Sequence, residues 1–314
     1  MVRFPALIRM AVVALVAVPV VRADEPARAA AQEQVEFLRL SRDERDRPLS
    51  LDTSIVEYVR PAAAGPADRR PLQVDLIAAV HVGSAGYYDT LDRLFADYDA
   101  VLYELVAPPN ARPKPGAKPA GAIGSAQQGL KQMLGLEFQL EAVDYTAPNF
   151  VHADLSPQEF DAAMRKRGES WWSMFMKLMK AGMARAEQAE RGGRQPGGDV
   201  TVGEMFGLLF GSGEARQVKL RRIMAEQFTD MEALTAAFGG EQGSTLITDR
   251  NAAALRVLRE QVAKGRRRIA IFYGAAHMED FDRRLRADFG LQPRETVWLE
   301  AWDLREPAAA TPRR

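Results

Sequence analysis

The chain has 314 residues, in which 42 lysines and arginines balance 42 aspartates and glutamates, and 47% of the residues are hydrophobic. This hydrophobic content is enough for a packed core and excludes an intrinsically disordered chain, and the zero net charge argues against a nucleic-acid-binding protein. Because the chain has no cysteine, disulfides, cysteine zinc sites and iron–sulfur clusters are excluded, and any metal must be held by the three histidines, carboxylates, amides or backbone atoms.

The amino-terminal segment is predicted to be a signal peptide that is cleaved on export. Residues 1–23 contain a basic start with Arg3 and Arg9, an apolar run over residues 10–21 and a small-residue cleavage site that ends at Ala23. An uncleaved membrane anchor is the alternative, but this apolar run is shorter than the ~20 residues that span a bilayer. We therefore expect a periplasmic or secreted protein, with no integral membrane segment once the signal peptide is removed.

The mature chain is predicted to contain one α/β domain at residues 48–306. A polar leader segment at residues 24–47 precedes it, and we expect this segment to be a helix or a tail. Early in the domain, residues 74–80 form an apolar run typical of a buried strand, residues 87–98 have helical spacing, and residues 100–106 form a second buried run. A strand, a helix and a strand in this order indicate a parallel pair joined by a right-handed crossover.

The middle of the chain, at about residues 127–246, has a mostly helical pattern, which predicts a helical insertion in the sheet domain. The α/β pattern then resumes, with helices predicted at residues 248–264 and 279–288 and strands at residues 269–273 and 295–301. Residues 307–314 are predicted to be a disordered tail. The predicted fold is therefore α/β, with a central, mostly parallel sheet flanked by helices and a helical insertion.

Polar residues stand at the ends of three apolar strands. His81 follows the first apolar run, Glu104 lies near the end of the second, and His277 comes shortly after the strand at residues 269–273. Parallel neighbours bring their carboxyl ends to one edge of a sheet, and open α/β sheets bind their ligands at that edge. We therefore expect the three side chains to meet there.

The chemistry of these three residues is compatible with a metal site. A glutamate in an apolar strand is unfavourable unless it is paired or bound to a metal, because burial raises the pKa of an unpaired carboxylate strongly. Two imidazoles beside one carboxylate form a site for a divalent metal, and an acid–base cluster without a metal is the alternative. Simpler interpretations are that the histidines are structural and that an arginine such as Arg250 holds Glu104. His152 ends no recognisable parallel strand, and we expect it to be structural.

Short motifs accompany these residues. Tyr103 precedes Glu104, the sequence Asp249-Arg250-Asn251 opens a predicted helix, and a glycine stands three residues before His277. In their order and spacing, over roughly residues 53–304, the motifs resemble the TraB/GumN/Tiki family, which belongs to a wider fold group with the erythromycin esterases and the haem-binding ChaN. One position departs from the family pattern, since Ala78 stands where the first Gly-x-x-His motif has glycine.

The resemblance implies a metal-dependent protease that uses manganese or cobalt, and zinc is a further option for histidine and carboxylate ligands. It assigns His81, Glu104 and His277 to the metal, and Glu104, Arg250 and Asn251 to catalysis. A metal held in this way would lower the pKa of its bound water and polarise a substrate carbonyl.

The residues around the predicted metal site have expected roles of their own. Asn251 can donate its amide to a developing oxyanion, and Arg250 can hold Glu104 or a substrate carboxylate. An ordinary helix start with an exposed arginine is the alternative. Gly274 is expected to keep the turn tight enough for His277 to reach back over the strand end.

The predicted function is a metal-dependent hydrolase that acts on a peptide or protein substrate. One alternative is a haem-binding or metal-binding protein that uses the same cleft. Another is a non-catalytic relative that binds a partner through the helical insertion, and Ala78 favours this alternative. The sequence leaves the oligomeric state open.

Overall fold

The computed structural model describes residues 35–60, 71–116, 129, 131–170, 213–238 and 244–307. The predicted signal peptide at residues 1–23 lies outside the described residues, as do residues 308–314 of the predicted tail and a large part of the predicted helical insertion. No helix within the described ranges is long and apolar enough to cross a membrane.

Seven strands within the described residues form a sheet at the centre of the domain. Its strands are β1 Leu38–Arg42, β2 Pro48–Val59, β3 Gln73–Ala79, β5 Ala100–Tyr103, β7 Phe150–His152, β8 Arg268–Gly274 and β9 Gln292–Asp303. Two short strands, β4 Val82–Gly83 and β6 Glu137–Phe138, pair with each other beside it. The α-helices are α1 Ala85–Phe95, α2 Gln139–Ala142, α3 Pro157–Arg167, α4 Gly213–Phe238, α5 Arg250–Ala263 and α6 Met278–Phe289. A π-helical turn, Thr245–Asp249, precedes α5, and a 3₁₀ turn, Ala275–His277, precedes α6.

The sheet has a parallel half and an antiparallel half. Strands β3, β8, β5 and β7 lie side by side in this order, and each neighbouring pair is parallel. Strand β2 pairs antiparallel with β1, β3 and β9. The predicted α/β class with helices around a central sheet is confirmed, but the sheet is mixed rather than mostly parallel. Strands β3 and β5 are joined by a crossover through α1 but are not neighbours in the sheet. Strand β8, which comes much later in the chain, lies between them and pairs with both.

The parallel strands β3, β8 and β5 are buried on both faces, and their side chains alternate between two core regions. On one face, Ala79 and Phe272 belong to the same core region as the buried residues of α1. On the other face, Leu76 and Tyr273 share a core region with buried residues of α5 and α6. Helix α1 begins after Ser84, whose hydroxyl accepts a hydrogen bond from the backbone N–H of Tyr87 at 3.2 Å.

Two predicted boundaries are corrected by the sheet. The predicted leader at residues 24–47 includes β1, which pairs with β2 and is therefore part of the domain. The predicted insertion at residues 127–246 is not wholly helical, because it contains β6 and also β7, which is a strand of the central sheet. Strand β7 has only three residues, which is too short to show a periodic pattern in the sequence.

Candidate active site

Each of the four parallel strands is followed by a polar side chain at its carboxyl end. His81 comes two residues after β3, Glu104 directly follows β5, and Asp154 comes two residues after β7. His277 ends the 3₁₀ turn that follows β8. The register aligns Ala79 of β3 with the last residue of β8, so these strand ends lie at one edge of the sheet. The structure thus brings the predicted residues His81, Glu104 and His277 to the same edge and adds Asp154.

Glu104 is the centre of this cluster. Its Oε1 accepts a hydrogen bond from Nη2 of Arg250 at 2.7 Å, and its Oε2 accepts one from the backbone N–H of Gly274 at 2.7 Å. The same Oε1 lies 3.5 Å from Nε2 of His277. Burial by itself raises the pKa of Glu104, but several interactions bring it well below its usual range. They are the attraction of His277, which is charged only at acidic pH, the attractions of Arg250 and His81, and the Gly274 hydrogen bond. The carboxylate is therefore ionised at neutral pH.

Gly274 leaves room between Glu104 and His81. A Cβ atom built on Gly274 would lie 3.4 Å from Oε2 of Glu104 and 3.6 Å from Nε2 of His81. The backbone of Gly274 has φ −54° and ψ 143°, which other residues adopt freely. A glycine is therefore not required here for the turn, contrary to our expectation. Its missing side chain instead opens a small space that faces a carboxylate oxygen and an imidazole nitrogen.

Asn251 supports His277 through contacts with its ring and its backbone carbonyl. Nδ1 of His277 lies 2.6 Å from Oδ1 of Asn251, and Nδ2 of Asn251 donates to the His277 carbonyl at 3.0 Å and to Oδ2 of Asp280 at 2.9 Å. Asn251 is completely buried and its amide is fully engaged. It therefore contacts His277 in place of the predicted oxyanion. Burial lowers the pKa of His277 to about 4, against the opposing effect of Glu104, so the imidazole is neutral at pH 7.

A second amide supports His81, which is exposed. Nδ1 of His81 lies 3.0 Å from Oε1 of Gln139, and the backbone N–H of Gln139 donates to the His81 carbonyl at 2.9 Å. Nε2 of Gln139 lies 2.9 Å from the hydroxyl of Tyr145, and both of these side chains are buried. The pairing of β4 with β6 brings Gln139 to this position, because Val82 is in register with Phe138.

Arg250 joins two carboxylates at this edge. Besides Glu104, it contacts Asp154, with Nε donating to Oδ1 at 3.0 Å and Nη2 donating to Oδ2 at 2.6 Å. The side chain of Asp154 is completely buried, and Arg250 is only 9% exposed. The alternative of an exposed arginine at an ordinary helix start is thus wrong, and the predicted contact of Arg250 with Glu104 is confirmed. Since two carboxylates share one guanidinium, these three side chains together retain one negative charge.

The π-helical turn Thr245–Asp249 directs Arg250 and Asn251 toward the strand ends. Helical turns of this kind are rare in proteins, and those that occur often lie at functional sites. The turn is held by Ser244, whose hydroxyl accepts from the backbone N–H of Ile247 at 3.2 Å, and by an ion pair between Asp249 and Arg167. Arg250 and Asn251 are the first two residues of α5, so both side chains leave the helix at the end that faces the cluster.

Two further residues have a different position from the predicted one. His152 ends β7 and therefore does end a parallel strand, but its Nε2 lies 2.6 Å from the backbone carbonyl of Leu105. Ala78 is buried on the α5 and α6 face of the sheet, in register with Tyr273, whereas the next position, Ala79, aligns with Gly274. The departure from the family glycine at Ala78 therefore lies in the core and not against Glu104.

The donor atoms of the cluster have the chemistry of a metal site, although their present arrangement is not one. A neutral imidazole and an ionised carboxylate are ligands that divalent transition metals accept. Among the residues that the structure describes, no group of three or more His, Asp and Glu side chains is arranged to hold a metal ion. Both oxygens of Glu104 already accept hydrogen bonds, and a cation would have to share them with Arg250 and Gly274.

Comparisons with known proteins leave the family unassigned. No family model matches the chain, and neither the curated proteins nor the solved structures provide a match. The resemblance to the TraB/GumN/Tiki family therefore stays a prediction that rests on the motifs in the sequence.

Proposed function

We propose that this chain is an exported, metal-dependent hydrolase with its active site at His81, Glu104 and His277. The observation that supports the proposal most directly is the charge balance at the strand ends. Glu104 and Asp154 share the guanidinium of Arg250, and two imidazoles stand beside them. A buried cluster that retains negative charge is stabilised by a cation, and the imidazole nitrogens add neutral ligands for it.

His81, Glu104 and His277 would hold the metal, for which manganese or cobalt is the first choice and zinc the second. When bound, the metal supplies a water of lowered pKa and polarises the carbonyl of a substrate. The space at Gly274 supports this assignment, because it faces Oε2 of Glu104 and Nε2 of His81. The predicted resemblance makes a peptide or protein the first substrate class to test.

The protein side chains have separate tasks in this proposal. Glu104 is a weak base, because its pKa is held well below the usual range, and it therefore serves as an anionic ligand rather than as the general base. Arg250 orients Glu104, and Asp154 in turn holds Arg250. His81 is the exposed member of the cluster, so it is the proposed ligand that a substrate can approach.

A metal titration tests the proposal before any substrate is known. Metal-free protein is titrated with manganese, cobalt and zinc by calorimetry, next to the double variant His81→Ala/His277→Ala. We expect the wild type to bind at least one metal and the double variant to lose that binding. His152→Gln is the matched control, because it removes the third histidine without touching the cluster, and it should bind as the wild type does.

Gly274→Ala sharpens the same experiment, because it keeps every donor residue. Its methyl group would occupy the space between Glu104 and His81, at distances that the fold tolerates, so we expect a folded protein with metal affinity lowered by roughly 10–100-fold. Equal metal binding by the wild type and the double histidine variant would contradict the proposal.

A metal-free acid–base hydrolase is the second candidate function. It is favoured by the guanidinium of Arg250, which already supplies a positive charge at Oε1 of Glu104. Hydrolysis of peptide substrates that continues after chelation, and is lost in His81→Ala, would select this candidate over the metal-dependent one.

A further inference from the structure

We infer that Asp280 and Asn251 are positioning residues that hold His277 in the tautomer with its proton on Nδ1, so that the lone pair of Nε2 is directed at Glu104. The inference deepens the proposed function, since a histidine binds a metal or accepts a proton only through an unprotonated nitrogen. Asp280 lies in the first turn of α6 and is connected to the site through Asn251.

The orientation of the Asn251 amide is fixed by two acceptors. Its Nδ2 donates to the backbone carbonyl of His277 and to Oδ2 of Asp280. A carbonyl oxygen and an ionised carboxylate cannot donate a hydrogen bond. A flipped amide would place Oδ1 of Asn251 against both of them, and this completely buried side chain has no solvent to compensate. The amide therefore has one satisfactory orientation.

The fixed amide determines which nitrogen of His277 carries the proton. With Nδ2 turned to Asp280, Oδ1 of Asn251 faces Nδ1 of His277 at 2.6 Å. An amide oxygen only accepts, so Nδ1 must be the donor. A neutral imidazole has one ring proton, and Nε2 is then left with its lone pair.

Glu104 favours the opposite tautomer. Its Oε1 lies 3.5 Å from Nε2 of His277 and would accept a hydrogen bond if Nε2 carried the proton. That distance is at the limit of a hydrogen bond, whereas the 2.6 Å contact to Asn251 is short. Asn251 thus prevents Nε2 of His277 from carrying the proton and donating it to Glu104. A protonated Nε2 would have no lone pair with which to bind a metal or accept a proton.

Asp280 is itself held as a carboxylate acceptor. Nε of Arg284 lies 2.8 Å from its Oδ2 in an ion pair, and Arg283 pairs with Oδ1. These two ion pairs hold the Asp280 carboxylate with its Oδ2 next to the Asn251 amide. His277 and Asp280 are three residues apart at the start of α6, and Asn251 joins them from α5.

Nitrogen NMR of the histidine rings measures the tautomer directly. The full chain is labelled with ¹⁵N-histidine and studied metal-free near pH 7, where two-bond correlations from the ring protons identify which nitrogen is protonated. The chain has three histidines, so His81→Ala and His152→Gln assign the spectrum. We expect His277 to have a protonated Nδ1 and an unprotonated Nε2. A wild-type spectrum with the proton on Nε2, or on both nitrogens, would overturn the inference.

Three variants test the role of the two positioning residues. Asn251→Ala removes the acceptor, and we expect the Nε2 resonance of His277 to move to the position of a protonated nitrogen. Asp280→Ala and Asp280→Asn form a matched pair, since both remove the charge that pairs with Arg283 and Arg284. Only Asp280→Asn keeps an oxygen for Asn251, so we expect it to retain the wild-type tautomer while Asp280→Ala shifts it partly.

Identical His277 spectra in Asp280→Ala and Asp280→Asn would remove Asp280 from the proposal, and an unchanged tautomer in Asn251→Ala would remove Asn251. If Asn251→Ala does not fold, the wild-type spectrum and the Asp280 pair still decide the question. These measurements use neither metal nor substrate, so their outcome is independent of the metal titration that tests the proposed function.

Discussion

The two histidines of the site have similar positions after parallel strands but different supports. His277 is buried, and the amide behind it faces a carbonyl and a carboxylate, which only accept hydrogen bonds. His81 is exposed, and the amide behind it faces the hydroxyl of Tyr145, which can donate or accept. Both orientations of the Gln139 amide are therefore satisfied, and His81 can change its tautomer where His277 cannot.

This difference suggests that the two halves of the chain supply histidines with different roles. The carboxyl-terminal half supplies a histidine with a fixed lone pair, which suits a permanent ligand. The amino-terminal half supplies an exposed histidine whose tautomer is not fixed, which suits a ligand on the side of the site that a substrate approaches. Two residues that occupy equivalent places in a sequence pattern therefore need not have equivalent roles.

We expect the largest effect on stability from replacing Arg250, whose guanidinium contacts both buried carboxylates of the cluster. Arg250→Met leaves the carboxylates of Glu104 and Asp154 buried without their guanidinium, and we expect the free energy of unfolding to fall by about 3–5 kcal/mol. Urea unfolding at pH 7 measures this change. Arg167→Met is the control, because its ion pair with Asp249 is partly exposed and should contribute about 1 kcal/mol or less. Equal losses of unfolding free energy in the two variants would mean that Arg250 stabilises the two buried carboxylates no more than a partly exposed ion pair would.

The pH dependence of stability separates the buried histidine from the exposed one. The pKa of His277 is lowered from 6.5 to about 4, so the unfolded chain binds a proton in this pH range that the folded protein does not. The free energy of unfolding should therefore fall as the pH is lowered from 6.5 to 4, by on the order of 3 kcal/mol. Urea unfolding across this range should show the decline in the wild type and in His81→Gln, and a flatter profile in His277→Gln. A wild-type profile that is flat between these pH values would contradict the assignment.

The smallest expected effect is on metal binding when the side-chain amide of Asn251 or Gln139 is removed. It tests the comparison of the two histidines most directly. Asn251→Ala and Gln139→Ala each remove the side chain that contacts Nδ1 of a histidine. We expect Asn251→Ala to weaken metal binding by roughly 10–100-fold and Gln139→Ala by about tenfold or less, because only the first amide fixes a tautomer. Competition titrations with the same metal give both values. A larger loss in Gln139→Ala would reverse the roles assigned to the two histidines.

The residues at the strand ends show what the sequence could predict. His81, Glu104 and His277 were found because each interrupts or follows an apolar run long enough to be read as a buried strand. Asp154 follows the same rule, but β7 is too short for its pattern to be recognised. The mixed sheet was missed because the pairing of β2 with three other strands is a property of the tertiary fold.

The supporting residues could not be found in the same way. Gln139 has no sequence signal, since it reaches His81 only through the pairing of β4 and β6. Asp280 resembles any acidic residue in the first turn of a helix, where such residues stabilise the helix dipole. Asn251 was identified, but its role was not, because its three hydrogen bonds depend on the packing of α5 against α6.

The place of β8 between β3 and β5 governs the order in which this protein can fold. Strands β3 and β5 leave the ribosome early, but the strand that joins them begins only at Arg268. Until then their facing edges carry unpaired backbone groups, which are prone to pair with other chains. Contacts of such long sequence separation form slowly, because a large loop must close first. Assembly of the whole strand-end cluster is therefore a late event, and a nascent chain that ends before β8 lacks this cluster and is vulnerable to aggregation.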